Sequence, residues 1–402
     1  MKLHRNLVDA VIQSLRQIFE ENKYADKVIE KVLKQNPKWG GRDRRFIAET
    51  TYGMVRWWRL LKEVVEISDT QKENDFWKLF GTWCVLNEIE LPYWDELKNI
   101  NKKKILETHE EKRSIRKIRE SIPDWLDDIG IQELGEADWE KEIHSLNQEA
   151  KVVLRVNTLK TSIEELQKQF NEVLIETETL DWTSDALVLK ERQNIFQRKQ
   201  FKDGLFEVQD AASQVVASFL RVEPNMRVID ACAGGGGKTL HLAALMKNKG
   251  RIIALDVEQW KLDEVKKRAR RAGASNIETR LVDSTKVIKR LHESADRLLL
   301  DVPCSGSGVL KRNPDAKWKL TAEYIEYVKT KQYEILTNYS SMLKTSGVLV
   351  YSTCSIFPSE NAKQIEKFIK EQNGKYQLIE EKRLLPSANG FDGFYMAAMK
   401  KL

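Results

Sequence analysis

Apolar residues recur at helical spacing through the first third of the chain. Leu7, Val8, Val11, Ile12, Leu15, Ile18 and Phe19 fall on one face of an amphipathic helix, and Val28, Ile29, Val32 and Leu33 on one face of a second. A longer segment opened by Asp43 carries Phe46, Ile47, Met54, Trp58, Leu61 and Val65. Gly40-Gly41 and Ser68-Asp69 punctuate the region, and the Lys/Glu-rich residues 98–120 are expected to form solvated loop or helix surface. Residues 1–140 therefore read as a small helical bundle.

The period then changes. Residues 152–156, 186–189 and 205–208 are strand candidates, with a helix at 162–170, so 141–210 reads as a small α/β bridging unit. From 211 onward strands and helices alternate. Strands are expected at 227–230, 252–256, 280–283, 297–301 and 347–352, and helices at 258–272, 324–343 and 359–372. This predicts a doubly wound α/β domain, Rossmann-like, over 211–402, its parallel sheet covered on both faces and its ligands at the carboxyl ends of the strands.

Composition narrows the class. The 402 residues are 41% hydrophobic and 32% charged, which excludes a disordered or collagen-like chain. No run approaches the roughly 18–20 apolar residues that span a bilayer, and the amphipathic start is unlike an export signal. A cytoplasmic protein without membrane partner is expected, and a monomer. Cys84, Cys232, Cys304 and Cys354 form neither a disulfide framework nor a C-x₂-C metal site, so no metal is expected and any cysteine that matters acts singly. The net charge of +6 is uneven: residues 1–150 carry a slight acidic excess and 151–402 a basic one, which suits a polyanionic partner.

Asp230, Asp256, Asp283 and Asp301 each end a predicted strand. A single such Asp serves as readily as a helix cap, but four share the ligand-binding edge. The cluster Ala233-Gly234-Gly235-Gly236-Gly237-Lys238-Thr239 joins the first strand to its helix and lets backbone approach a ligand closely. Cys232 stands where a P-loop needs its first Gly, and Thr239 where a dinucleotide fingerprint needs its last. What remains is an open glycine turn with Asp256 placed to accept ribose hydroxyls and Asp283 to reach an adenine amino group. This suits a nucleoside without phosphates, S-adenosylmethionine over ATP.

Cys304, in Asp301-Val-Pro-Cys-Ser-Gly-Ser-Gly308, and Cys354, in Ser352-Thr-Cys-Ser355, follow neighbouring strands. Free cysteines usually pack as small hydrophobes, but these two stand in turns at the reactive edge. Such a site suits methylation of a pyrimidine carbon. A thiolate adding to C6 of cytosine makes C5 nucleophilic, a carboxyl near N3 stabilises charge, and a base then removes the C5 proton. Asp301, Cys304 and Cys354 supply candidates.

At these residues the chain resembles the RNA cytosine-5 methyltransferases of the RsmB/Nop/Sun type. The resemblance rests on 230–239, 300–308, Arg312-Asn-Pro-Asp315 with Lys317-Trp318, and Tyr351-Ser-Thr-Cys-Ser355 with Pro358, Glu360 and Asn361. Arg155-Val-Asn157 and Asp392-Gly-Phe-Tyr395 also fit. The resemblance implies that Cys354 is the nucleophile and that Cys304 assists product release. It implies further that Cys232, Ala233, Gly234, Gly235, Gly236, Gly237 and Lys238 with Asp256, Asp283 and Asp301 hold S-adenosylmethionine, and that Lys238 also orients the cytosine. The family pattern Ala-Pro-Gly-Gly-Lys has one more Gly here, and loss of the Pro loosens the turn. The bridging unit is expected to be RRM-like. The N-terminal part resembles, more weakly, a NusB-like RNA-binding domain, chiefly over 43–61. In that stretch and its approach Lys31, Lys34, Lys38, Arg42, Arg44, Arg45, Arg56, Arg59 and Lys62 interleave with Trp39, Phe46, Tyr52, Trp57 and Trp58, which suits RNA or else a solvated face over a Trp-rich core. Arg268, Arg270 and Arg271 are read as solvated helix residues. RNA is the expected partner and 16S rRNA the expected substrate; tRNA, or a non-catalytic ribosome-assembly role on the same fold, is the alternative.

Overall fold

The helical spacing is realised in α1 (Arg5–Phe19) and α2 (Ala25–Gln35), which bury Val8, Val11, Leu15 and Ile18, and Val28 and Val32. These are from a computed structural model that describes residues 3–68 and 73–402; Asp69 of the expected break lies outside them. The long third segment is two helices, α3 (Gly41–Arg56) and α4 (Trp58–Val64), interrupted at Trp57, whose ψ of 21° leaves the helical region. Asp43 accepts the Gly40 N–H at 3.2 Å and so closes the start of α3. There follow α5 (Glu73–Leu86), α6 (Lys102–Lys112), α7 (Arg116–Arg119), α8 (Asp124–Leu134) and α9 (Glu136–Leu146). Residues 98–120 are not merely solvated surface. Ile105 and Ile118 are buried with Leu60, Val64 and Val85, and the Glu120 carboxylate is buried where it accepts the Asn147 amide at 3.1 Å. One apolar residue per helix is enough to dock a face that composition alone reads as polar.

The α/β part begins with β1 (Val153–Val156), α10 (Ile163–Asn171), β2 (Thr177–Leu180), β3 (Thr183–Leu189), α11 (Lys199–Lys202) and β4 (Phe206–Val208), whose strands form an antiparallel sheet in the order β2-β3-β1-β4. The Thr-Glu-Thr-Leu of β2 has no apolar run and escaped the pattern. Next come α12 (Ala211–Phe219), β5 (Arg227–Asp230), α13 (Gly237–Leu245), β6 (Arg251–Asp256), α14 (Gln259–Ala272), β7 (Ile277–Leu281), α15 (Thr285–Lys289) and β8 (Ala295–Asp301). The chain ends with α16 (Ala316–Lys319), α17 (Ala322–Tyr339), β9 (Leu343–Thr353), α18 (Ala362–Glu371), β10 (Tyr376–Leu384), α19 (Pro386–Asn389) and β11 (Phe394–Lys401).

The large sheet has the order β10-β11-β9-β8-β5-β6-β7. Its inner strands are parallel, and Leu298, Leu299 and Leu300 of β8 are buried on both faces as such a sheet requires. The expectation of an entirely parallel sheet is corrected at one edge, where β11 and β10 run antiparallel. β7 also begins three residues earlier than expected, because Ile277 pairs with Ile252 and brings its side chain to the core; Asp283 is left beyond the strand end.

Two compact units result, and the chain crosses between them. The helical unit takes in the chain to Gln148 and also Leu310–Ala322, while Glu149–Val309 and Glu323–Leu402 form the α/β unit. Among the described residues no helix is long and apolar enough to cross a membrane.

Candidate active site

Adjacent strands β8 and β9 pair Asp301 with Ser352, so the loops that follow them start level at the carboxyl edge. Cys304 and Cys354 lie on these loops with their Sγ atoms 3.2 Å apart. The contact with Cys354, and then burial, push the Cys304 thiol well above its ordinary pKa, so it rests protonated. The loops can close this tightly because Gly308 has no side chain. A Cβ there would meet the Gly393 carbonyl oxygen at 2.4 Å and that of Cys354 at 2.8 Å, while Gly393 N–H donates to the Gly308 carbonyl at 2.7 Å. The glycines of two distant motifs are thus one backbone contact.

Lys238, in the first turn of α13, donates to Asp301 at 2.7 Å and stands 5.1 Å from the Phe394 ring centroid. The Ser352 hydroxyl donates to the other Asp301 oxygen at 2.8 Å. Burial opposes the ammonium, but Asp301 outweighs it and holds the Lys238 pKa above its usual value; the Cys354 sulfur also interacts with this charge. An ammonium, a carboxylate and two thiols therefore converge at one sheet edge.

The glycine turn lies beside them. Gly234 has φ +54° with open space where a Cβ would project, and Gly236 has φ +85° at the start of α13. Asp256 accepts the Gly234 N–H at 2.9 Å and the Glu258 N–H at 3.0 Å, leaving each carboxylate oxygen further acceptor capacity. Cys232 is half-buried near Asp230, Asp256 and Asp301, and burial raises its thiol pKa well above normal. Ala233 packs with Ala254 and Val265 behind the turn. Asp230 is buried; Thr239 donates to one of its oxygens at 2.7 Å, the other has no partner, and burial pushes the carboxyl up to about 7. Asp283 is exposed, with the Ser284 hydroxyl at 3.0 Å.

Several residues outside the expected set brace this turn or the elements beside it. Buried Arg155 of β1 donates to the Gly237 carbonyl and the Gln209 side chain, and Asn157 donates to the Gly204 and Ala272 carbonyls at 2.8 Å each. Arg268 and Arg271 are corrected from solvated residues to structural ones. Arg268 donates to the Gly235 carbonyl at 2.6 Å, and the two together bind buried Glu207 at 3.0 and 2.5 Å. The glycine turn is therefore tied down by arginine at Gly235 and Gly237. His241 of α13 pairs with Asp185 of β3 at 2.8 Å, and burial, against the pull of Asp185, keeps its pKa low.

The motif residues 312–318 are not in this site. Within the helical unit, the Ala25 N–H donates to Asp315 at 2.9 Å, and the Trp318 indole donates to the Val55 carbonyl at 2.7 Å. Buried Lys317 donates to the Arg56 and Ser121 carbonyls at 2.7 and 2.9 Å and to Asn147 Oδ1 at 3.0 Å. The basic stretch is likewise partly internal: Arg44 donates to the Leu33, Asn36 and Trp39 carbonyls, Arg56 to those of Leu146, Gln148 and Lys311, and Arg59 to that of Ile122. Its aromatics belong to the core, with Trp58 stacked on Phe19 at 3.8 Å, while Lys31, Lys34, Lys38, Arg42 and Arg45 remain exposed.

Known proteins are similar to this chain over most of its length. Residues 217–400 match the model of the 16S rRNA methyltransferase RsmB/F family, and residues 122–196 that of the RsmF/B-like ferredoxin-like domain. A probable ribosomal RNA small subunit methyltransferase B from Synechocystis is 32% identical, covering 96% of this chain and 97% of its own. The crystal structure of PH0851 superposes with a TM-score of 0.83 at 25% identity over all of both chains. NSun6 from Pyrococcus horikoshii, solved with SFG, shares the fold at a TM-score of 0.65 and 21% identity over 70% of this chain and 99% of its own. The two thiol loops, the lysine–carboxylate pair and the glycine turn thus stand in a chain that belongs to the 16S rRNA methyltransferase RsmB/F family.

Proposed function

We propose that this enzyme forms 5-methylcytosine in small-subunit rRNA, with S-adenosylmethionine as methyl donor and Cys354 as nucleophile. The observation that carries the reading is the pair of thiols 3.2 Å apart beside the Lys238–Asp301 pair. Among the described residues no cluster of His, Cys, Asp and Glu could hold a metal ion.

The glycine turn fits S-adenosylmethionine: Gly234 leaves open space where a side chain would stand, Asp256 retains acceptor capacity for ribose hydroxyls, and buried Asp230 has a free oxygen behind the turn. NSun6 from Pyrococcus horikoshii, with the same fold, was solved with SFG, an analogue of this cofactor. When bound, the cofactor supplies an electrophilic methyl group. The chain's residues prepare its acceptor. Cys354 adds to C6 as thiolate, forming the C6–S bond and moving electron density to C5. Asp301 holds the ring at N3, and Lys238 fixes Asp301 and orients the base. After C5 is methylated its proton leaves to a base, the C6–S bond breaks and Cys354 departs with the electron pair; Cys304 assists this release.

The division of labour we infer is an RNA-binding helical part at 1–140, a bridging α/β part at 141–210 and a catalytic part at 211–402, from which Leu310–Ala322 depart to join the helical unit. In incubation with RNA and cofactor, Cys304→Ala is expected to accumulate a covalent protein–RNA adduct, and Cys354→Ala to form none and transfer no methyl group. The opposite pattern reverses the roles, and methyl transfer unaffected by Cys354→Ala overturns the mechanism. Bisulfite sequencing of rRNA and tRNA from a deletion strain identifies the target: a lost mark in tRNA corrects the substrate, and none lost in either supports a non-catalytic role.

A further inference from the structure

Glu360 is fully buried and, among the described residues, has no Lys or Arg partner. It accepts only neutral donors. One oxygen takes the Ser305 and Ser355 hydroxyls at 2.5 Å each; the other takes the Ser305 N–H at 2.8 Å and the Gln332 amide at 2.9 Å. Ser305 follows Cys304 and Ser355 follows Cys354, so a single carboxylate grips the residue next to each thiol. The same Gln332 amide donates to the carbonyl of Pro303, the residue before Cys304, at 2.9 Å. Ser307 adds a second tie, its hydroxyl 2.9 Å from that of Ser355 and accepting the Ile356 N–H at 3.0 Å.

Glu360 is itself held from two sides. Tyr351, inside β9, donates to the Glu360 carbonyl at 2.7 Å, and Asn361 takes the Thr353 hydroxyl at 2.5 Å while donating to the Ser355 carbonyl at 2.9 Å. The carboxylate is thus referenced to the sheet and not to solvent. Leaving it buried without a cation is costly unless its acceptor positions are filled, as they are here.

We propose that Glu360 is a positioning residue that sets the separation of the Cys304 and Cys354 sulfurs, and with it the passage from adduct to released product. The inference rests on the covalent reading above for its consequence, but not for its geometry. Glu360→Gln keeps the shape: its amide oxygen serves the Ser305 N–H and Gln332, and the two serine hydroxyls turn to accept from its NH₂. Glu360→Ala removes the grip on both loops.

Two measurements test this. Phenylarsine oxide bridges two thiols only when they are close, and its binding needs neither RNA nor cofactor. Glu360→Ala should bind it about tenfold more weakly than wild type, a loss of the order expected for a broken buried network, and Glu360→Gln nearly as wild type. In turnover, Glu360→Ala should lose about 100-fold in kcat through misplacement of the thiols, with little change in KM for RNA and with adduct persisting, and Glu360→Gln should recover most of the rate. If Glu360→Ala does not fold, Ser355→Ala, which removes one arm, should show both effects in smaller measure. Unchanged arsenical bridging in the folded variants overturns the inference, as does a Glu360→Gln defect equal to that of Glu360→Ala. A wild-type enzyme that bridges the arsenical normally but never attaches to RNA overturns the covalent reading instead, and leaves the positioning role standing.

Discussion

Lys317, buried in the helical unit, and Lys238, half-buried in the α/β unit, are ammonium groups set to opposite work. Lys317 meets neutral acceptors only, two carbonyls and an amide oxygen, which take its three protons. Burial, with Arg56 nearby, pulls its pKa well below the lysine value. Lys238 meets a carboxylate at an open sheet edge, and its pKa is held up. A buried cation surrounded by carbonyls fastens segments together, whereas one paired with a carboxylate at a strand end keeps a charge available to a ligand. The family motif contains both kinds, so membership in a motif does not separate them; their partners do.

The contrast can be broken by exchanging what each lysine loses. Lys238→Met should lower methyl transfer by at least about 100-fold, as removal of a preorganised donor does, with a much smaller loss of stability. Lys317→Met should do the reverse. Stranding three buried acceptors should cost about 3 kcal/mol, read as a lower urea midpoint with unchanged slope, while the folded fraction still transfers methyl groups. If Lys317→Met abolished turnover at full stability, the division between fastener and reactant would fail.

Asp230 sharpens the same point from the acidic side. Its folded pKa of about 7 lies above the ordinary carboxyl value of about 4, so the folded state binds the extra proton. The associated stability is present at low pH and lost as pH rises through about 7. Asp230→Asn should therefore gain on wild type as pH is raised across that window, in parallel urea titrations; a constant difference would contradict the assignment. The smallest effect on cofactor binding is expected at Arg268→Ala, which frees the Gly235 carbonyl and leaves buried Glu207 to Arg271 alone. Loss of that hydrogen bond, about 1 kcal/mol, should weaken cofactor binding several-fold by calorimetry.

What could be read in advance was what is local. The alternation of strands and helices, the Asp at three strand ends, the glycine turn and the two thiol loops each announce themselves within a few residues. β10 and β11 did not: the first is an exposed edge strand rich in charge, and the Met-Ala-Ala-Met of the second carries no β-branched residue. Arg268 reads as surface because its partners, Glu207 and Gly235, are distant in sequence. Lys317 and Glu360 stood within recognised motifs, but their roles depend on acceptors and donors contributed by segments the pattern does not connect. Burial of charge is settled by tertiary partners, and single residues do not display it.

In the proposed mechanism Cys354, and not Cys304, bonds to the substrate. Mapping by mass spectrometry the residue that carries cytidine in nuclease-treated Cys304→Ala adduct, and in wild type trapped with a cytosine analogue that blocks C5 proton loss, tests it most directly. Cytidine is expected on the peptide containing Cys354 in both; attachment to Cys304 in the wild type would contradict this assignment.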